Sequence, residues 1–228
     1  MNEITRRTAL AGLAAGAAVP LLGAAAVPAH GPGHGRGPKG PLVEQPRIYS
    51  GDEWGARPPS ATPTVVHARP NKIIVHHTAF PNTADHSLAY AFQNSRDIQD
   101  LHMDQNGWLD SGQHFTNSQG GYLTEGRAGS LAALQRGRWM IESAHTVGQN
   151  TQSIGIENDG SYHLGAPVPE EQWASLVHFC AYTCQQYGIP ATEIYGHMDF
   201  NETLCPGGLH DRLPELRELV AGRLQRRR

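Results

Sequence analysis

The sequence predicts an α/β fold, one domain with a central mixed β-sheet flanked by helices. Three observations predict it. Short runs rich in β-branched residues alternate with longer segments of helical periodicity, the pattern of a sheet covered by helices. The 26 Gly and 16 Pro are too many for a helical bundle and suit a loop-rich chain. A length of 228 residues fits one domain of ordinary size with appendages.

Residues 1–29 read as an export signal. Arg6-Arg7 precedes an uncharged Ala-, Gly-, Leu- and Val-rich run from Thr8 to Val27, which ends in the small-residue pattern Val27-Pro28-Ala29. Thr5-Arg6-Arg7-Thr8-Ala9-Leu10 resembles the twin-arginine signal of bacteria, so a secreted protein is expected. A membrane anchor is the competing reading, but the run is short of leucine and broken by Pro20, a poor bilayer span. No stable membrane anchoring is therefore expected. Residues 30–42 are mostly Gly, Pro and His, with nothing to bury, and read as a flexible linker. The domain then occupies residues 43–228.

Within it, Lys72-Ile73-Ile74-Val75-His76-His77 reads as a buried strand, and alternation sends His76 and His77 to opposite faces. From His86 to Met103, Leu88, Phe92, Ile98 and Leu101 recur at helical spacing, and Asn106-Gly107 closes that helix. Residues 113–116 and 121–123 read as a hairpin around Ser118–Gly120. Ser153-Ile154-Gly155-Ile156-Glu157 is a second buried strand, with Glu157 facing away from Ile154 and Ile156. Pro169 to Tyr187 is a helix with Glu170 and Glu171 in its first turn and Gly188 at its end. Ile194-Tyr195-Gly196-His197 is a third short strand, and a last helix spans Pro214 to Leu224.

Net charge is −3, without the basic excess that captures nucleic acid or anionic membrane. Three cysteines leave one over in any disulfide framework. The 13 histidines are the anomaly, and most lie inside folded-looking sequence. His76, Glu157 and His197 each end a predicted strand, where open α/β sheets place ligands, and Cys205 follows eight residues after His197. Two imidazoles and a thiolate suit tetrahedral zinc with a fourth position left for water. Water held by zinc loses a proton near neutral pH, and Glu157 is placed to move that proton. Pro206 and Gly207 would fix the turn that aims Cys205, and Asp199 would support His197 from behind. Each residue alone has a plainer reading, a satisfied core histidine or a small buried thiol.

The ordered motifs Trp54-Gly55-Ala56-Arg57, Ile74-Val75-His76-His77-Thr78-Ala79, Asp110-Ser111-Gly112-Gln113-His114-Phe115, Glu125-Gly126-Arg127, Ala144-His145 with Ser153-Ile154-Gly155-Ile156-Glu157, and Gly196-His197…Cys205-Pro206-Gly207 carry a resemblance. Over about residues 50–210 the chain resembles the peptidoglycan recognition protein and zinc N-acetylmuramoyl-L-alanine amidase family. The resemblance implies a mixed sheet flanked by helices and a zinc in a groove for the peptide stem of peptidoglycan. It implies His76, rather than His77, with His197 and Cys205 as metal ligands, Glu157 as the acid–base, and His145 in the groove near the zinc for substrate contact or intermediate stabilisation. Two positions depart from the family pattern: Gln113 stands where many catalytic members carry Tyr, and Thr203 where some carry Lys. Gln113 and Thr203 can then supply hydrogen bonds to substrate, but Gln cannot transfer a proton.

The expected function is zinc-dependent hydrolysis of the amide between muramic acid and L-alanine by a secreted monomer, with metal-bound water attacking and Glu157 as general base. The alternatives are a recognition protein that binds peptidoglycan without cutting it, and a metal amidase for another amide. Cys180 and Cys184 read as a disulfide or as two buried thiols, and His114 as a core histidine. His163, His178 and His210 read as surface or structural, Trp54 and Trp108 as groove wall or core. The Arg226-Arg227-Arg228 tail reads as a solvated end.

Overall fold

A computed structural model describes residues 43–225. The expected export signal, the expected linker and the terminal arginines lie outside those residues. In chain order the elements are β1 (Ile48–Tyr49), α1 (Gly51–Trp54), β2 (Val65–Val66), β3 (Lys72–His77), α2 (Leu88–Asp100), β4 (Phe115–Asn117), β5 (Leu123–Glu125), α3 (Ser130–Arg136), β6 (Met140–Ile141), β7 (Ser153–Asn158), α4 (Glu170–Tyr187), β8 (Ile194–Gly196) and α5 (Leu213–Gln225). Six strands form one mixed sheet in the order β1-β5-β4-β7-β3-β8, in which only the β4–β5 pair is antiparallel. β2 and β6 form a separate antiparallel pair. The single domain with a mixed sheet and flanking helices is the predicted fold class.

Period-2 alternation divides the sheet into two chemically different faces. On one, Ile73, Val75, Ile154, Ile156 and Phe115 are at most 1% exposed and join Leu176, Phe179, Leu216 and Val220 of α4 and α5 in the core. Each such burial is worth about 1.5–3 kcal/mol. On the other, the register lines Thr124, Thr116, Glu157 and His76 across adjacent strands. The helix α2 covers the β5 side of this polar face, where Ser95 Oγ meets Thr124 Oγ1 at 2.8 Å. That leaves the β7 and β3 side to loops.

Local signals explain most boundaries. Ser87 Oγ accepts from Tyr90 N at 3.2 Å and starts α2. The chain beyond Asp100 continues as a single π turn, Leu101–Gln105, with Asn106 N donating to Leu101 O. The predicted hairpin forms two residues later on each side, because Gly121 N bonds back to Ser118 O at 2.8 Å and tightens the turn there. The third predicted strand stops at Gly196, and His197 opens a 3₁₀ turn instead. β1, β2, β6, α1 and α3 were not predicted; the strands among them are two residues long, and tertiary pairing rather than local pattern makes them.

Candidate metal centre

Three segments far apart in sequence converge at the β3 end of the polar face. β3 presents His76, the turn after β8 presents His197, and the loop beyond it presents Cys205. One ligand atom from each lies within 4.8 Å of the others, the only such group of His, Cys, Asp or Glu among the described residues. Cys205 Sγ is 3.6 Å from His76 Nδ1. Zinc–sulfur and zinc–nitrogen bonds at a tetrahedral angle put those atoms about 3.6 Å apart, so the donors fit such an ion. The His76 and His197 rings stand with centroids 4.6 Å apart. His77 points to the opposite face, where its Nδ1 accepts from Tyr162 N at 3.1 Å. Its main-chain N–H donates to Cys205 Sγ at 3.3 Å.

Hydrogen bonds aim each ligand. His197 Nε2 meets Asn201 Oδ1 at 3.1 Å, which leaves Nδ1 to face the group. Cys205 N donates to Thr203 Oγ1 at 3.2 Å, and Met198 N to Cys205 O at 2.9 Å, tying the two ligand-bearing turns together. Asp199 acts on the loop rather than on a ligand ring: Oδ2 accepts from Gly196 N and Oδ1 pairs with His210 Nε2, both at 2.8 Å. Gly207 is required as glycine. Its φ is +64°, and a Cβ there would sit 2.4 Å from main-chain atoms of Tyr162 and His163.

Burial dominates the electrostatics. It holds His76 well below the usual imidazole range, with repulsion from His197 and His77 adding to it. It pushes the Cys205 thiol up to about 12, the hydrogen bond from the His77 main chain lowering it and nearby Glu157 adding a smaller raise. Neutral imidazole is the form that binds metal, whereas the thiol needs a cation beside it to ionise. Glu157, directly opposite His76 in the β3–β7 ladder, keeps part of its surface exposed, and desolvation pushes its carboxyl up to about 8. A held proton beside a cation site is chemistry for acid–base exchange.

The three residues expected to meet substrate have different surroundings. His145 is 8% exposed and stands behind His76, its Nδ1 2.9 Å from His76 Nε2. Gln113 is 1% exposed; its Nε2 donates to Thr116 Oγ1 at 2.9 Å, and its Oε1 has no partner among the described residues. Thr203 is partly exposed beside Cys205. His114 is a core histidine as expected, between Gly155 N and Ile141 O. Trp54, 1% exposed with Nε1 donating to Glu125 O, is core rather than groove wall, while Trp108 is partly exposed against His102. Cys180 and Cys184 are free and buried. Thr146, Ser153 and Asn201 contact the site's imidazoles without having been singled out in the sequence. Ser153 opens the motif that ends in Glu157, and Thr146 and Asn201 each lie within four residues of a site histidine, but nothing in their own spacing marks them.

The model of the N-acetylmuramoyl-L-alanine amidase family (Amidase_2) matches residues 67–208. A human N-acetylmuramoyl-L-alanine amidase is 30% identical over 165 residues, which cover 71% of this chain and 27% of that protein. Peptidoglycan-recognition protein LB of Drosophila melanogaster is 28% identical over 167 residues, 73% of this chain and 66% of that protein. The chain thus spans about a quarter of the human relative and just under two thirds of the fly one. The solved structure of the wild-type fly protein superposes with a TM-score of 0.62 over 73% of this chain and 92% of its own, at 28% identity. A variant of the same protein, solved in complex with tracheal cytotoxin, gives a TM-score of 0.60 at 28% identity, covering 71% of this chain and 89% of its own.

Proposed function

The chain belongs to the N-acetylmuramoyl-L-alanine amidase family, and on that premise we propose that it is an exported zinc amidase that cuts the bond between the muramic acid lactyl group and L-alanine. The observation that carries this reading is the cluster of His76, His197 and Cys205 within 4.8 Å, with Glu157 in register beside His76. Bound there, zinc would polarise the scissile carbonyl and lower the pKa of water. His76, His197 and Cys205 would hold it.

Glu157 does the proton work. From burial alone its carboxyl sits up at about 8, and a dication beside it favours the carboxylate, which can take a proton from the attacking water. The same carboxyl then hands that proton to the departing amine of L-alanine. Thr203, with exposed surface beside Cys205, offers a hydroxyl to the stem peptide. Gln113 supports Glu157's row by holding Thr116, the residue opposite Glu157 on β4. His145 contributes through His76. Export through the twin-arginine route, as Arg6-Arg7 suggests, would deliver the domain already folded. No described helix is long and apolar enough to cross a membrane.

The decisive assay incubates the full chain with purified peptidoglycan, with and without chelator, and counts new amino groups and new reducing ends separately. Fresh L-alanine amino termini without reducing ends, lost on chelation and restored by zinc, are the expected result. Binding to the wall with release of neither would replace the amidase by a protein that recognises peptidoglycan without cutting it.

A further inference from the structure

The loop before β7 forms a chain of hydrogen bonds whose proton positions can be counted. It starts at a group with no proton to give, the main-chain carbonyl of Gln149. Ser153 Oγ lies 2.8 Å from that oxygen, so the hydroxyl proton points there. The Ser153 oxygen is then an acceptor, and it faces His145 Nε2 at 3.4 Å. That oxygen asks for a proton on His145 Nε2. A neutral imidazole with its proton there has a bare Nδ1. That Nδ1 is 2.9 Å from His76 Nε2. Only one proton fits between two nitrogens at that distance, so it belongs to His76 Nε2. His76 Nδ1 is left with its lone pair aimed at Cys205 Sγ, 3.6 Å away.

We propose that Ser153 and His145 form a tautomer lock on His76, positioning residues that keep the proton on Nε2 and present a bare Nδ1 to the metal. The reading rests on His76 being a metal ligand. Two further features agree with it. Thr146 Oγ1 stands 2.8 Å from His145 Nδ1 and 3.3 Å from His76 Nε2, so its hydroxyl closes the bare side of the bond. Gly155 supplies the room: a Cβ there would lie 2.4–2.7 Å from three atoms of the His145 ring. A side chain at that strand position would lift His145 off the sheet and away from His76.

Nitrogen-15 spectra of histidine-labelled full-length protein, recorded in chelator and again with zinc, read the tautomers directly. His76 and His145 are both expected as Nε2–H in chelator, and His76 should keep that proton when zinc binds. A His76 proton on Nδ1 in chelator overturns the lock. His145→Phe keeps a ring against Gly155 but removes the acceptor; zinc affinity by dye competition should fall roughly 10–100-fold. His145→Asn, whose side-chain oxygen can stand in for Nδ1, should recover most of it. Unchanged affinity in His145→Phe with His76 still Nε2–H also overturns the lock, and if that variant does not fold the wild-type spectra decide. Wall cleavage that needs zinc while the tautomers are wrong would sink this inference alone; correct tautomers with no cleavage would sink the amidase.

Discussion

The candidate metal centre has two halves built in different ways. His76 and Glu157 sit on neighbouring strands in the middle of the sheet, held by ladder hydrogen bonds with a packed core beneath. His197 and Cys205 sit on turns beyond the sheet, held by single local side-chain bonds: Asp199 to the Gly196 main chain, Asn201 to the His197 ring, Thr203 to the Cys205 main chain. The strand half is placed by the whole fold, and what reaches it from outside the ladder is the contact of His145 with the His76 ring. The loop half is fixed locally, so single contacts should tune it by degrees.

Substitutions can break or sharpen that contrast. Glu157→Gln removes the proton carrier and leaves the strand in place, so turnover should drop on the order of 10²–10⁴-fold while zinc still binds; equal rates in a wall-release assay would remove Glu157 from the chemistry. Cys205→Ser attacks the loop half at its ligand. Zinc affinity should fall by more than the roughly 10–100-fold of an outer partner, with thermal stability in chelator nearly unchanged. A large drop in melting temperature would show that the thiol is structural.

Gly207→Ala places a methyl against the Tyr162–His163 backbone at a left-handed position. It should cost about 1–3 kcal/mol in denaturant melts and weaken zinc in parallel. His210→Ala opens the bond to Asp199 and should cost only about 0.5–1.5 kcal/mol, with zinc affinity as the finer readout. The last expected effect concerns pH. In chelator, the raised pKa of Glu157 means the folded state binds a proton that the unfolded chain has released. Stability from this group is full at low pH and is lost as pH rises toward 8, and Glu157→Gln should flatten that slope in melts between pH 5 and 8.

The contrast also separates what the sequence makes legible from what it hides. Ile73 to Val75 and Ile154 with Ile156 announce buried strands through β-branched runs, and alternation alone sends His76 and His77 apart. The long helices α2 and α4 announce themselves through spacing, and Gly188 marks the end of α4. The two-residue strands do not, because two residues carry no period. Nor does α3, a seven-residue helix between two left-handed glycines, too short for a periodic stripe. His145 illustrates the limit most sharply. Family likeness brings it to the groove, but its position behind His76 depends on the loop from Ser143 to Gln152, which has no repeating pattern to read. Trp54 reads equally well from the sequence as groove wall or core, and only the fold, which buries it, decides for core.

Cys205 and His76 are 129 residues apart in the chain. Closing so long a loop carries an entropic cost, and most of the sheet must be assembled before the thiol and the imidazole can meet. On the proposed reading, a zinc ion here would clasp together two segments that only the assembled sheet brings close. Through mass action, a hundredfold excess of free zinc over its dissociation constant adds about 2.7 kcal/mol to the folded state. Resistance to proteases outside the cell would then follow the zinc supply, and scarcity of the metal would shorten the protein's lifetime as well as silence it.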